Sequence, residues 1–548
     1  MDSRARELVK IGDSLFEKKA NWDSLCQEIA EHFNPLRADF TSSFSLGTDF
    51  ATNIMDSFPM LACRTLGDAP GAMLRQGEWF EVKTDDDDVN EDPSAARWME
   101  AATKRFRNLI YDRRANFVRA TNEADHDWAA FGNPVLSVEE SPTRDHFLFR
   151  AWHPKENAWM ENAVGKIDHN QRTMMMTARG IMQRRAWAKV AHTSIREASK
   201  KDPAKEFKIR HVVLPLDEMY GDDRAKRRQF KDMQFVSLYI DCENEIVLSE
   251  GALPVFNYVI PRWRTVAGFP QGFSPATITA LPDGRMLQTL ARIILEQGEK
   301  ALDPPVYAKG DIFRDAVNRY AGGMTYADLE SDQKIQDAMM FENPSQGLPA
   351  GLEMKADVRN MIAEAFLLNK LMLPAEREMT AFETQARLAE FRRSVLPFFG
   401  PVEHEYHLPL LDTAFQMALR NKQFDIDGMP DILSDVDVTF KFESPLNTAE
   451  GRAAVQAFQE SIQIIAGSAQ MDQGVVAEYD FRKMTKDAVK GTGAPADWTK
   501  DEEQADGDVD AAQQVAGLTQ AATALREGAA VGTDVANASV ALQQAGLV

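Results

Sequence analysis

The residues of this chain best suited to chemistry are histidines and carboxylates that lie close together. Glu403–His407 (EHEYH) places two imidazoles three residues apart among carboxylates, and such side chains can ligate Zn²⁺. The order matches neither HExxH nor HxxEH, and prolines flank it, so a surface or helix-end cluster is the favoured interpretation. Asp85–Asp88 lacks surrounding ligands of defined spacing and is interpreted as a solvated loop; Asp506–Asp510 lacks the downstream Glu of a calcium loop. We therefore predict no metal site.

Signatures of nucleotide binding and covalent catalysis are missing from the sequence. It contains no GxxxxGK[ST] phosphate loop, no GxGxxG and no GxSxG, and Lys490–Gly493 (KGTG) has some of these residue types in the wrong order. The remaining histidines are scattered and indicate no nucleophile–base pair. We expect no cofactor, no catalytic residues and no enzymatic activity.

Composition limits the class of protein. A length of 548 residues predicts three or four structural units. Asp and Glu outnumber Lys and Arg by 84 to 62, and the net charge of −22 disfavours general affinity for nucleic acid, which needs clustered cations. Three distant cysteines fit a reducing compartment without structural disulfides. We expect no secretory signal, because the N-terminus MDSRARELVK carries charges of both signs and no apolar region. We also expect no membrane span, because no apolar run approaches the ~18 residues that a span requires.

Apolar periodicity predicts helices in the first part of the chain and strands after it. The expected helices are 3–33, 49–75 with a kink or boundary at Pro59, and 94–131. The expected strands are 135–138, 147–150, 235–240 and 255–260. A helical, basic insert at 170–231 interrupts the strands and carries Arg184, Arg185, Lys200, Lys201, Arg227 and Arg228. The insert could contact nucleic acid, but a solvated face or contact with neighbouring acids is the favoured interpretation.

The second part is mainly helical, so the predicted fold class is α+β, mainly α. Helices at 283–301 and 355–372, each followed by proline, flank a turn-rich segment at 306–348. A capping-box pattern at Thr380–Glu383 begins another helix. The later expected elements are a helix at 409–422, a strand at 436–442, helices to about 466 and at 473–490, an acidic linker at 496–510, and an Ala/Gln-rich tail at 511–548 that is either helical or disordered.

The order of these segments resembles the portal, or head-to-tail connector, proteins of short-tailed bacteriophages (podovirus type). Four stretches within about residues 15–445 carry the resemblance, and their order and spacing are more specific than any one of them. They are Asn21–Arg37 with Gly77–Phe80, Asp127–Leu136 with Phe147–Arg150, Pro261–Trp263 with Asp283–Val306, and Leu371–Pro374 with Thr380–Glu383 and Arg387. The chain departs from the usual pattern at Ser57-Phe58-Pro59 and at Val266–Phe269.

The resemblance implies a portal fold with wing, stem, clip and crown, assembled as a ring of usually twelve subunits. The expected parts are a wing at 1–280, stem helices at 281–302 and 351–372, a clip at 303–350, a tunnel loop at 373–380, a wing-to-crown helix and strand at 381–445, crown helices at 446–495, the linker at 496–510 and the tail at 511–548. Two helices with one apolar face each suit a ring, because an isolated hairpin buries too little surface and twelve side by side bury more.

The resemblance also implies partners and a location. These are double-stranded DNA in the channel, a terminase that supplies ATP hydrolysis, a tail adaptor, and the major capsid and scaffolding proteins. The ring would lie at one capsid vertex of the virion after assembly in the host cytoplasm. Twelve chains would carry a formal charge of −264, and an acidic wall would repel DNA and keep it centred.

Two groups of residues are expected to serve these partners. In and beside the tunnel loop, the residues expected to face DNA are Lys370, Glu376 and Arg377. In the clip, the residues expected at the interface are Tyr307, Lys309, Phe313, Arg314 and Tyr320. Two alternatives remain open: another acidic, helical virion or scaffold-type interaction protein, and an enzyme whose site the sequence does not reveal. A ring of defined stoichiometry would separate the portal hypothesis from both.

Overall fold

The structure, a computed structural model, consists of two compact units. It describes residues 3–43, 47, 49–50, 54–141, 145–221, 223–231, 233–304, 306–308, 313, 318, 325–326, 328, 339–341, 348–371, 400–424, 428–433, 438–442, 458–465 and 479–491. The first unit draws on 1–81, 102–426 and 439–447, and the second on 82–101, 427–438 and 448–548. Helices and antiparallel sheets together agree with the predicted α+β class.

The N-terminal part is helical, as predicted, with different breaks. Its elements are α1 (Ser3–Lys18), α2 (Ala20–Phe33), a 3₁₀ turn (Pro35–Arg37), α3 (Phe58–Met73), β1 (Phe80–Thr84), α4 (Asp87–Glu91), α5 (Pro93–Ile110) and α6 (Phe117–Phe131). The predicted helix 94–131 is two helices because Asn116 adopts a left-handed conformation with φ 57°. The predicted helix 49–75 begins only at Phe58, where Pro59 occupies the first turn.

Gly132 ends α6, in agreement with the Gly-Asn-Pro signal in the sequence. Its φ is 80°, and a Cβ atom there would lie 2.7 Å from the backbone nitrogen of Ser274. A side chain at this position would therefore be both strained and crowded. The chain continues into a three-stranded antiparallel sheet in the order β3–β2–β9, whose strands are β2 (Val135–Glu140), β3 (Phe147–Trp152) and β9 (Tyr258–Val259).

A five-stranded antiparallel sheet occupies most of the region between β3 and β9. Its strands, in sheet order, are β4 (Asn157–Glu161), β5 (Ile167–Thr177), β6 (Glu206–Pro215), β7 (Phe235–Asp241) and β8 (Ile246–Leu253). The helices between its strands are α7 (Ala178–Gln183), α8 (Arg185–Val190), α9 (Thr193–Lys201), α10 (Leu216–Tyr220) and α11 (Arg224–Gln229).

The predicted helical insert at 170–231 does contain the helices α7–α11, but most of β5 and all of β6 also lie inside it, so it is not helical throughout. The strand β5 reads IDHNQRTMMMT and offers no apolar alternation. It nevertheless buries His169, Asn170, Gln171 and Arg172 between its neighbours. Tertiary pairing overrides the local pattern there.

A pair of long helices follows the sheets. Its elements and those after it are α12 (Leu281–Leu302), β10 (Val306–Ala308), β11 (Met339–Phe341), α13 (Leu348–Ala365), α14 (Leu368–Leu371) and α15 (Leu408–Arg420). The predicted helix 283–301 is confirmed by α12. The second helix ends at Ala365, seven residues earlier than predicted, because Leu367 has a left-handed φ of 60°. β10 and β11 pair antiparallel, with Tyr307 opposite Met340.

The core of the first unit that holds these helices is apolar and contiguous. Its buried members include Ile29 and Phe33 of α2, Leu66 of α3, Leu287 of α12 and Ile362 of α13. Helices α2 and α3 therefore form the base on which α12 and α13 rest.

The second unit contains α4, the N-terminal half of α5, the 3₁₀ turn Asp431–Leu433, a helical segment at 458–465 and α16 (Phe481–Gly491). The strand β12 (Val438–Phe442) confirms most of the strand predicted at 436–442. The interpretation of Asp85–Asp88 as a loop is corrected, because Asp87 begins α4 and the Asp86 carboxylate caps it by accepting from the Asp88 N–H at 3.0 Å.

Candidate functional site

Helices α12 and α13 run in opposite directions and pack against each other. A Cβ atom on Gly351 of α13 would lie 3.3 Å from Cγ1 of Ile294 on α12. At the other end of the pair, Gln288 of α12 and Arg359 of α13 meet at the same residue, Asp56. Beyond the tip, the strand β10 follows α12 and pairs with β11, which precedes α13. The arrangement is a helical hairpin whose base is buried and whose tip projects from the core.

Burial along the hairpin is uneven. In the first half of α12, the positions Gly284, Leu287, Gln288 and Ala291 are buried with a helical period. The second half, 292–302, contains no buried residue, and neither does the first half of α13, 348–357. Among the described residues, the tip of the hairpin therefore contributes nothing to the buried core.

Apolar side chains are exposed along the same helices. The row that is buried at Gln288 and Ala291 continues as Leu295 and Leu302, which are 55% and 90% exposed. A second face of α12 exposes Met286 and Ile293, one heptad apart, at 41% and 45%. On α13 the residues exposed in this way are Leu352, Met354 and Met361. Exposed apolar side chains that recur along a pair of helices indicate an interaction surface.

Asp56 fastens both helices to the segment that precedes α3. Its carboxylate is buried, and Oδ2 accepts hydrogen bonds from Nε and Nη2 of Arg359 at 3.1 and 2.7 Å. Nζ of Lys355 lies 2.9 Å from the same oxygen. Burial acts to raise the pKa of Asp56, but the Phe58 N–H and these two cations together hold it below its ordinary value.

The backbone of the same segment binds α12. Oε1 of Gln288 accepts from the backbone N–H groups of Met55 and Asp56 at 2.8 and 3.0 Å, and its Nε2 donates to the Asp56 carbonyl at 2.8 Å. A side-chain amide that satisfies three backbone groups costs little to bury. We call Asp56, Gln288, Lys355 and Arg359 the hairpin anchor. Sequence reasoning missed it, because Asp56 lies more than 200 residues from the other three members in the sequence.

Close packing adds to this anchor at the base. A Cβ atom on Gly284 would lie 3.0 Å from Cζ of Phe33, and the rings of Phe33 and Phe366 have centroids 5.3 Å apart. Nη2 of Arg285 donates to Oε2 of Glu28 on α2 at 2.6 Å. The hairpin base is thus fixed in position by sterics as well as by charge.

The structure locates only some of the residues that are expected to face DNA or to lie at the clip interface. Lys370 lies in the short helix α14 with an exposed side chain, and Tyr307 lies in β10. Phe313 is half-buried. The other expected residues, Glu376, Arg377, Lys309, Arg314 and Tyr320, lie outside the described residues, as do most of 303–350 and all of 373–380. Their assignments remain predictions.

The cluster Glu403–His407 lies at a helix end, one of the two expected positions, and only part of it is on the surface, where His404 is exposed. It forms a π-helical segment that leads into α15, and Tyr406 and His407 are fully buried. Nε2 of His407 lies 3.3 Å from Nη1 of Arg75, which forms a buried ion pair with Asp125. Burial, aided by the Arg75 charge, lowers the pKa of His407 well below its ordinary value.

One carboxylate of the same segment, that of Glu405, accepts hydrogen bonds from Arg262. Glu405 accepts from the backbone N–H of Arg262 at 3.0 Å and from its Nη2 at 3.2 Å. Within the described residues there is no group of three or more His, Cys, Asp or Glu side chains that could hold a metal ion.

A hydroxyl–imidazole pair that the sequence did not reveal lies within the five-stranded sheet. Nε2 of His211 lies 2.8 Å from Oγ of Ser237, and its Nδ1 lies 2.7 Å from the Tyr258 hydroxyl. The pair joins neighbouring strands β6 and β7, and Tyr239 stacks on the imidazole at 4.2 Å. Burial, with the charges of Arg172 and Arg184, lowers the pKa of His211 to about 3. A pKa this low does not suit a general base at neutral pH, and both imidazole nitrogens are within hydrogen-bond distance of hydroxyl groups.

The described helices include none with both the length and the apolar character needed to cross a lipid bilayer. The helix α12 also carries charged side chains, among them Arg292 and Glu296, which lie 3.9 Å apart.

The chain is similar to known phage head-to-tail proteins over most of its length. The profile of the family described as "Bacteriophage head to tail connecting protein" matches residues 5–499. The chain is 21% identical over 491 residues to the portal protein of Salmonella phage epsilon15. The matched region covers 87% of this chain and 86% of that protein. Among solved structures, it is similar to a chain of the virion of a native gene transfer agent particle, with 10% identity, a TM-score of 0.32, and coverage of 76% of this chain and 86% of that one.

Proposed function

The chain belongs to the family of bacteriophage head-to-tail connecting proteins, and from this membership we propose that it forms a ring-shaped channel at one capsid vertex. Double-stranded DNA would enter the capsid through this channel during packaging and leave through it during ejection. The relationship to the epsilon15 portal protein supports the proposal, because the similarity extends over most of both chains.

The observation that carries the ring is the exposed apolar surface of the hairpin. Leu295 and Leu302 extend a row that is buried at the base, while Met286 and Ile293 lie on another face of the same helix. One hairpin cannot cover both surfaces. Two neighbouring copies, one on each side, can cover them, and an interface between two different faces closes into a ring when the rotation permits.

The parts of the ring follow from the hairpin. Helices α12 and α13 would be the stem that lines the channel, and β10 and β11 at its tip would begin the clip. There Tyr307, Phe313 and their expected neighbours would meet the terminase during packaging and the tail adaptor afterwards. The loop after α14, with Lys370, Glu376 and Arg377 in or beside it, would face the DNA. The wing would contact the major capsid and scaffolding proteins during assembly in the host cytoplasm.

The charge of the chain suits a conduit. A ring of twelve copies at −22 each would present a mainly acidic channel, and repulsion from phosphate would let DNA slide without being gripped. We propose no catalytic step for this chain; ATP hydrolysis would come from the terminase.

Native mass spectrometry of the purified chain, with negative-stain imaging, tests the ring. Twelve chains of 61.4 kDa correspond to about 737 kDa, and an axial channel should be visible. A ring of thirteen subunits would also be consistent with the proposed function. A monomer would require the same measurement with scaffolding protein present, and a stable dimer or tetramer without a channel would contradict the proposal.

A variant links the ring to the hairpin surface. Ile293→Lys should reduce the ring to smaller species while the subunit stays folded, because a charge would replace apolar surface at the subunit contact. Ile293→Leu should keep the ring. Thr65→Lys adds the same charge at an exposed polar position of α3 and controls for net charge. An intact ring in Ile293→Lys would show that this face is not at the subunit contact.

A further inference from the structure

Helices α7, α8 and α9, with the turn that returns to β6, form a strongly basic part of this acidic chain. We call residues 178–205 the basic lobe. It contains eight Lys and Arg residues and two acids, a net charge of +6 in a chain whose net charge is −22. The fold therefore concentrates cations on one small region instead of distributing them among the acids.

The lobe is held rigidly against the five-stranded sheet. Each helix buries apolar residues in a shared core, among them Ile181, Trp187 and Ile195. The two ends of the lobe are joined by a hydrogen bond from the Ala178 N–H to the Lys205 carbonyl at 2.8 Å. Within the lobe, Nη2 of Arg196 donates to the Lys189 carbonyl at 2.9 Å. The cations are thus presented on a fixed surface, which reduces the entropy lost on binding a ligand.

Most cations of the lobe have no acidic partner. Arg179, Arg185, Lys189 and Lys200 are exposed, and in the described part of the chain no carboxylate forms an ion pair with them. Lys201 alone pairs with an acid of the lobe, Glu197, at 3.9 Å across one exposed turn. An exposed contact of this kind contributes little.

The neighbouring basic cluster differs in its net charge. Residues 216–232 contain five cations and five acids, so the segment is neutral. Arg227 pairs with Asp217, and Lys226 lies 2.5 Å from Glu250 of β8. The strand β6 lies between the two clusters, so the lobe with its net charge of +6 is distinct from the neutral segment.

We propose that the basic lobe binds the phosphate backbone of double-stranded DNA at a site separate from the channel wall. The exposed guanidinium and ammonium groups are the donors that phosphate contacts use, and they need no base sequence. The proposal rests on the proposed function for the identity of the anion, since a channel protein for DNA meets duplex at high local concentration. An acidic protein segment is the competing partner, and the test below separates the two.

Salt-dependent DNA binding provides the test, with the full-length protein as purified and a short fluorescent duplex. Binding is followed by anisotropy across about 50–200 mM KCl, where each phosphate contact contributes about −0.9 to the slope of log K against log salt. The triple variant Arg185→Gln, Lys189→Gln, Lys200→Gln should make this slope shallower by about 2 to 3. The control triple Arg224→Gln, Arg228→Gln, Lys231→Gln removes the same charge from exposed positions of the neutral segment and should leave the slope near the wild-type value.

Three results would overturn the proposal. The slope of the lobe variant could equal that of wild type; both triples could lower binding equally; or polyglutamate could displace the duplex as well as unlabelled DNA does at equal charge, which would indicate an acidic protein partner. Native mass spectrometry of the same samples distinguishes a change in DNA binding by the lobe from a change in ring assembly. Loss of the ring with DNA binding retained would contradict only the proposed function, and loss of the salt slope with the ring intact would concern only the lobe.

Discussion

Replacing Asp56 with Asn tests whether the hairpin anchor holds α12 and α13 to the core. The substitution removes the charge that Lys355 and Arg359 share and keeps an oxygen that can still accept from the Phe58 N–H. Removing one member of a buried ion pair typically costs 3–5 kcal/mol. Arg359 is 43% exposed and can regain water, so we expect a smaller loss of about 2–3 kcal/mol.

Hydrogen–deuterium exchange reports this loss where it occurs. If α12 and α13 open locally, about 2–3 kcal/mol corresponds to exchange that is about 30- to 150-fold faster in residues 281–302 and 348–365. Exchange in β6 and β7 should change far less. The control Glu296→Gln breaks an exposed contact with Arg292 at 3.9 Å and should shift exchange by no more than about 0.5 kcal/mol.

The pH dependence supplies a second readout with a definite sign. The folded pKa of Asp56 lies below the ordinary 3.8, so its contribution is present above pH 3.8 and is lost as the pH falls through the folded pKa. Wild type and Asp56→Asn should therefore differ in unfolding free energy at neutral pH and converge below pH 3.8. Unchanged exchange in both helices, or a difference that persists in acid, would refute the role assigned to this carboxylate.

Three further predictions concern packing, protonation and the clip. Gly284→Val places a side chain against Phe33 and should lower the free energy of unfolding by about 1–3 kcal/mol, measured by urea denaturation, whereas no change would mean that Phe33 moves freely. Wild type should lose stability between pH 6.5 and about 3, because the unfolded chain protonates His211 and the folded chain does not; this decline should be smaller in His211→Gln, and an identical decline would contradict the assignment. Deletion of 306–348 should leave a folded subunit, judged by circular dichroism, that no longer docks the terminase or adaptor, and packaging by this variant would contradict the clip assignment.

Local patterns predicted much of the fold correctly. The spacing of Leu287, Leu290 and Ile294 predicted α12, and the Gly132-Asn133 signal predicted the end of α6. These features depend on residues within a few turns of each other, so a single sequence contains their full signal. The order of such segments also indicated the family, which the profile match over residues 5–499 confirms.

Long-range contacts account for what sequence reasoning missed. The polar strand β5 has no apolar alternation, and its place in the sheet depends on pairing with β4 and β6. The contact of His211 with Ser237 follows from the register of β6 and β7. The burial of His407 depends on Arg75 and Trp79, which lie more than 300 residues away in the sequence.

The sequence by itself determined the helix that became α12, the family, and the excess of acids, because periodicity, segment order and composition are properties of the chain alone. Only the tertiary structure decided that Asp56 joins two distant helices, that half of the hairpin leaves its apolar residues exposed, and that the strand β6 lies between the basic lobe and the neutral segment. Burial and ion pairing depend on which distant groups the fold brings within a few ångströms, and no local pattern records that distance.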